Sequence, residues 1–258
     1  MKKLFFITGI LIIASVNIYG QEGKKVVFGV GGTLTNANIQ NVNFYGEPKF
    51  DYNLKLGYDY SLNIGYNFSK RFAIYSEFQF SAQGQRNVGG QKVNGIKYNN
   101  TIRNMTLNYF NIPLFLKYTF KAMRIKKTYF RILAGPQFAY LTSAKQSYTR
   151  NGQVLRTEET NLDGEVFQTD AEIITNRFIS YDISIAFDIG ADIYVNEVFF
   201  ISMGLRVNYG FMDINSAPYK MPDYLGNYKP SCNVWEGLYV SFNYMLDTKS
   251  KSGESSFY

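Results

Sequence analysis

Nine charged side chains fall at positions where the surrounding pattern otherwise places small or neutral polar residues: Lys55, Asp59, Glu77, Lys117, Arg131, Asp182, Asp188, Asp192 and Arg206. Brought together in one enclosed space, such a set could line a path for ions or protons. It could also pair with itself, because an unpaired buried charge is costly. Mutual pairing that plugs the space is the expectation, with Glu77 and Asp188 set against Arg131 or Arg206. Acid–base catalysis fits less well. The chain has no histidine, the side chain whose unperturbed pKa best suits proton transfer near neutral pH, and serine with carboxylates alone is a poor substitute. No enzyme activity and no cofactor are expected.

Three other stretches invite a chemical reading. Glu159 to Asp170 (ETNLDGEVFQTD) nearly fits a calcium-binding loop, with Gly164 at its sixth place and Val166 at its eighth. Its first and twelfth residues are the reverse of the required acids and no flanking helices are evident, so an acidic solvent loop is expected. Gly29-Val-Gly31-Gly32 lacks the third glycine and the following helix of a nucleotide site, and is expected to let a strand pack closely. Between Ala217 and Ser231, Tyr219, Tyr224 and Tyr228 stand among three prolines. Exposed tyrosines on a stiff loop could meet a glycan or protein partner, or fold back over the molecule's own end.

What positions these residues is a period of two. Tyr52 to Phe68 reads YNLKLGYDYSLNIGYNF, with every even residue bulky and apolar or aromatic. A helix would scatter those positions around its cylinder, so this is a strand, spanning about 55 Å at roughly 3.3 Å per residue. The same pattern predicts strands over 25–35, 71–84, 105–120, 128–141, 179–195, 198–212 and 233–246, making eight with 52–68. Links at Ser69-Lys70, 121–127 and Asn196-Glu197 are short, whereas 36–51, 85–104, 142–178 and 213–232 are long. Within 142–178, Asn151-Gly152 predicts a small hairpin.

Volume then decides which face points inward. An eight-stranded barrel has room inside only for side chains that fill it. The small and polar set can enter: Gly57, Asp59, Ser61, Asn63 and Gly65, then Ala186, Asp188 and Gly190. The bulky set must face outward, and an apolar wall of this extent is tolerated only in lipid. Tyr52, Tyr58, Tyr66 and Phe68 fall where aromatic girdles belong. Pro113, which lacks an N–H, predicts a bulge or break in its ladder. The fold class is therefore all-β, an eight-stranded antiparallel transmembrane β-barrel of the outer-membrane type. Its short turns belong in the periplasm and its four long loops outside.

Composition agrees. Aromatic residues make up 17% of the 258 residues, which an outward lipid-facing wall accommodates. MKKLFFITGILIIASVNIYG (1–20) has the lysines, short apolar run and small terminal residue of a secretory signal peptide. Residues 21–246 are assigned to the barrel and 247–258 to a periplasmic tail. The lone cysteine, Cys232, provides neither a disulfide framework nor an N-terminal lipid site. The formal charge of +7 is scattered, and the most basic run, Lys121 to Lys127, is expected to be a solvated turn, so no nucleic-acid partner is implied.

Phe110-Asn111-Ile112-Pro113-Leu114-Phe115-Leu116-Lys117-Tyr118 and Ala134-Gly135-Pro136 resemble strands of the PorT-like outer-membrane β-barrel proteins of Bacteroidetes-type bacteria. Phe187 to Asp192 and Leu205 to Phe211 are similar to the later strands of that family. The resemblance covers the mature chain and implies architecture rather than activity, although some members belong to a secretion apparatus. Gly237 to Phe242 resembles the terminal strand read by the barrel-assembly machinery, with Trp235 where a polar residue is usual. The expected partners are outer-membrane lipid, that machinery during insertion, and an envelope protein. The expected role is structural or partner-binding, with a narrow pore for small solutes as the alternative.

Overall fold

The computed structural model describes residues 25–40, 50–93, 96–121, 127–160, 166–220, 222 and 226–247. The signal segment 1–20 and the tail beyond Asp247 lie outside them. Eight long strands form a closed antiparallel ring: β1 (Lys25–Gln40), β2 (in two segments, Phe50–Asn53 and Lys55–Asn67), β3 (Phe72–Val93), β4 (Ile96–Lys121), β5 (Thr128–Arg150), β6 (Tyr181–Tyr194), β7 (Phe199–Gly210) and β8 (Cys232–Asp247). Each pairs with its neighbours in sequence, and β8 closes on β1 from Lys25↔Asp247 to Gln40↔Cys232. Closure leaves no open sheet edge along the ring, the condition for a sheet to sit in lipid.

The alternation places side chains as expected. On β2, Asp59, Ser61 and Asn63 are buried, while Tyr58, Tyr60, Leu62, Ile64 and Tyr66 are exposed. The outward faces of β6, β7 and β8 continue the wall with Ile185, Phe187, Ile189, Met203, Leu205, Val207, Leu238, Val240 and Phe242. Tyrosines mark one rim at Tyr58, Tyr140, Tyr181 and Tyr209. Aromatics mark the other at Phe28, Tyr66, Phe72, Phe130 and Tyr244. No helix among the described residues is long and apolar enough to cross a membrane, so the strands are what lipid must meet.

Turn chemistry closes the short end. The Ser69 hydroxyl accepts from the N–H groups of Arg71 and Phe72 at 3.2 and 2.8 Å, and Asn196 Oδ1 accepts from those of Val198 and Phe199 at 3.0 and 2.7 Å. These side chains satisfy backbone donors that the ladder leaves over. The Asn151-Gly152 hairpin also forms. Both residues have positive φ, 50° and 81°, and Arg150 pairs with Gln153.

Three sequence expectations are corrected. The stretch 85–104 is not a loop: β3 runs to Val93 and β4 starts at Ile96, and the two strands pair up to Val93↔Ile96. Its residues are mostly polar, so the hydropathy period fades, whereas ladder hydrogen bonds do not depend on that period. β5 likewise runs on to Arg150. Strand two is interrupted at Leu54, with one extra residue on β2 between the pairs Asn53↔Arg86 and Tyr58↔Ala82. At Pro113 the ladder is broken, one of the two outcomes its missing N–H predicts, and the register does not change, since Ser76↔Leu114 and Gln79↔Asn111 flank the gap. The outward Ser76 hydroxyl donates to the Pro113 carbonyl at 3.0 Å. The bulge lies instead at Thr142, opposite Asn108/Tyr109.

The lipid-facing assignment predicts an asymmetric response to charge. Leu205 stands among outward Ile189 and Leu238 in the ladder. Leu205→Arg is expected to destabilise the barrel by about 2–4 kcal/mol in urea unfolding from lipid vesicles. The same change at Tyr140, on the rim, is expected to cost about 0–1 kcal/mol.

Candidate functional site

Six of the nine charges converge inside the ring. Arg206 Nη1 and Nη2 grip the two oxygens of Glu77 at 2.7 and 2.8 Å, and its Nε donates to Asp188 at 3.2 Å. Asp188 is shared with Arg131 Nη1 at 3.1 Å, and Arg131 Nε faces Asp192 at 3.2 Å. Asp192 also takes Lys117 Nζ and the Ser202 hydroxyl, the latter at 2.7 Å. Arg131 and Arg206 each lie between two carboxylate-bearing residues, and Asp188 and Asp192 between two cations. All six side chains are almost fully buried.

Aromatic faces complete the belt. The Arg206 guanidinium lies 3.9 Å from the Tyr239 ring centroid and 5.0 Å from that of Phe115, and the Arg131 guanidinium lies 5.4 Å from Tyr239. Tyr239 in turn accepts from Asn63 Nδ2 at 2.8 Å. Gly204 makes room for the network, since a Cβ there would stand 3.0 Å from Asp188 Oδ1 and 2.7 Å from the Ile189 carbonyl. The belt rests on an apolar layer at the turn end of the ring, formed by Val27, Ala73, Tyr75, Phe115, Leu133, Ala186, Phe200 and Met245.

The other end is capped by its own loops. Ile174 and Ile214 insert between the inward side chains Ile39, Met105, Leu107, Tyr109, Leu141 and Ala144. The first is held by Ile174 N–H to the Ala144 carbonyl at 2.9 Å, and the second by Ile214 N–H to that of Ser231 at 2.8 Å. The two loops are tied together by Ser216 N–H to the Arg177 carbonyl at 2.9 Å and by a bridge between Phe178 and Asn215. At the foot of the second loop, Asp213 accepts from the Tyr228 hydroxyl at 2.7 Å and the Ser231 N–H at 3.1 Å, and pairs with Lys220 at 2.9 Å. Burial would raise the Asp213 carboxyl, but hydrogen bonds from Lys220, Tyr228, Ser231 and Asn215 outweigh it and hold the group below the usual carboxylate range. The Tyr228 hydroxyl is pushed up to about 12 by burial and by its bond to the Asp213 carboxylate, against the opposing hydrogen bond from Asn215.

The remaining sequence candidates are dispersed. Asp182 accepts from Asn233 Nδ2 at 2.9 Å, away from the belt. Lys55 turns to the carbonyl of Gln83 at 3.2 Å and the hydroxyl of Thr106 at 2.6 Å. Asp59 forms no ion pair. Tyr228 is spent on its own loop, and Tyr219 is half-buried with Arg177 5.8 Å from its ring. Tyr224 lies outside the described residues. Around 159–170, Thr157–Thr160 pairs antiparallel with Val166–Thr169, so two paired strands rather than two helices flank 161–165. Asp170 is ion-paired with Arg156 at the surface. Sequence reasoning missed the apolar cap. Ile174 and Ile214 stand singly in polar segments, where no period marks them.

Two outcomes follow. Arg206→Met leaves Glu77 buried and uncompensated and is expected to cost about 3–5 kcal/mol in urea unfolding, whereas Glu77→Gln combined with Arg206→Met recovers most of that loss. Asp213 has a depressed pKa in the folded loop, so its contribution is present above the ordinary carboxylate pKa and lost as pH falls through the lower folded value. Asp213→Asn should remove that contribution at neutral pH and raise trypsin cleavage after Lys220 by roughly tenfold.

The chain is similar to several solved proteins. Ail, the attachment invasion locus protein of Yersinia pestis, is 9% identical, with 86% of this chain and 99% of that one covered and a TM-score of 0.38. A major outer membrane protein of Thermus thermophilus is 12% identical over 86% and 99%, with a TM-score of 0.44. The Escherichia coli outer membrane protein W is 15% identical over 87% and 98%, with a TM-score of 0.34. No curated protein matches the sequence. Residues 19–216 match the outer membrane protein beta-barrel domain, and with its closed ring the chain belongs to that family of the bacterial outer membrane.

Proposed function

We propose that the protein is a non-enzymatic element of the outer membrane, acting through its loop-end surface and lipid-facing wall as a structural or partner-binding component of an envelope assembly. The observation that carries this reading is the filled lumen. An apolar layer, a belt of mutually paired charges and an apolar cap succeed one another along the axis. An ion crossing the belt would have to displace charges that already neutralise each other in a site with little water. With the interior occupied, the surfaces left for interaction are the loops, the rims and the wall.

The absence of histidine supports a role without proton-transfer catalysis. The likeness of 110–118, 134–136, 187–192 and 205–211 to PorT-like strands supports an assembly of the secretion-apparatus kind. Residues 1–20 serve as the export signal, and Gly237 to Phe242 as the segment presented to the barrel-assembly machinery. Residues 247–258 then extend into the periplasm, where a partner can reach them.

Reconstituted in a planar lipid bilayer, the barrel is expected to pass no steady current. A stepwise conductance whose ion selectivity changes in Glu77→Ala or Arg131→Ala would instead establish the narrow pore. Crosslinking in intact cells from an affinity tag on 247–258 is expected to recover an envelope protein in stoichiometric amount. Recovery of the barrel alone would contradict the assembly.

A further inference from the structure

The six charges of the belt cancel, three cations against three carboxylates. Asp59 is left over. It is 5% exposed, and among the described residues neither of its carboxylate oxygens makes a well-aligned hydrogen bond, although the Thr33 hydroxyl and the Gln79 amide lie close enough to act on it. Arg206 acts on it through space, but all three guanidinium nitrogens of that residue are committed to Glu77 and Asp188. A bare carboxylate in such a place must find a counter-charge or give up its own.

Its surroundings are rich in acceptors. Asp59 shares a register row with Thr33 on β1 and Ser81 on β3. Thr35 follows at the next inward position of β1, opposite Gly57, whose missing side chain opens the space: a Cβ there would lie 2.7 Å from Thr35 Oγ1. The Thr33 and Thr35 hydroxyls are both buried without a well-aligned partner among the described residues, as is the side-chain oxygen of Asn111. Gln79, which accepts from Asn111 through Oε1 at 3.1 Å, offers its unpaired amide nitrogen beside hydroxyls that can turn either a proton or a lone pair to a neighbour. One negative charge among neutral oxygens, with no second carboxylate in the group, suits a singly charged hard cation. A divalent ion of the calcium type takes six to eight oxygens and several carboxylates.

We propose that Asp59, with the hydroxyls of Thr33 and Thr35, holds an alkali-metal cation in the lumen between the ion-paired belt and the apolar cap. The cation neutralises a carboxylate that the belt leaves unmatched and enters as the barrel folds. The chain carries its own reporter. Trp235, the single tryptophan, is buried on β8 opposite Ala37, two residues along β1 from Thr35, and its indole N–H has no partner.

The test is refolding into detergent micelles in sodium, potassium or choline chloride at equal ionic strength, followed by Trp235 emission and thermal unfolding. Sodium or potassium is expected to shift the emission and to raise the unfolding temperature by roughly 2–4 °C over choline. Asp59→Asn, if it refolds to the heat-modifiable form, should lose both differences. Thr35→Val keeps the carboxylate and should need roughly tenfold more sodium for the same effect. Identical emission and unfolding in all three salts would overturn the proposal and assign Asp59 a proton in place of a metal ion. A salt response that survives in Asp59→Asn, or is unchanged in Thr35→Val, would overturn the location.

Discussion

The interior of an eight-stranded ring is so narrow that whatever points into it must be packed and paired. Every other property of this barrel descends from that limit. Two side chains per turn of the alternation compete for the two sides of the sheet, and the bulky one cannot go in. The apolar and aromatic residues are therefore pushed outward into lipid. The charges that do point inward are forced within reach of each other, where they are stable only as a neutral set.

Because the set is neutral, it can be central without being strongly stabilising. Buried ion pairs tend to break even against apolar packing, whereas a broken pair is expensive. The belt thus fixes which side chains may occupy the middle of the lumen more than it adds to stability. Gly204 and the Tyr239 ring show the same constraint from the neutral side, one yielding space to Asp188 and the other packing against two guanidinium groups. The caps follow from it as well. Loops that bring Ile174 and Ile214 onto Ile39, Leu107 and Tyr109 close the end where the strands outrun the lipid.

Much of this was legible in the residues. The parity of β2 and β6 places Asp59, Asn63, Asp188 and Asp192 inside without any structure, and the Asn151-Gly152 pair marks its hairpin. The partners were not legible, because parity gives the face of a side chain and not its height, and height depends on the register between strands distant in sequence, such as Glu77 and Arg206. The extensions of β3, β4 and β5 were hidden for a different reason. Above the lipid both faces of a strand can be polar, so the hydropathy period vanishes while the hydrogen-bonded ladder continues. A single apolar residue inserted from a loop, as at Ile174, leaves no period at all.

The central claim is that the lumen is closed by its own paired charges within a lipid-embedded ring. Water-edited solid-state NMR of the barrel in lipid bilayers tests it most directly, by timing the transfer of magnetisation from water to the side chains of Arg206 and Glu77. The account predicts a build-up much slower than for exposed loop residues such as Lys229. A build-up at Arg206 as fast as in the loops would mean an open, hydrated channel and would contradict it.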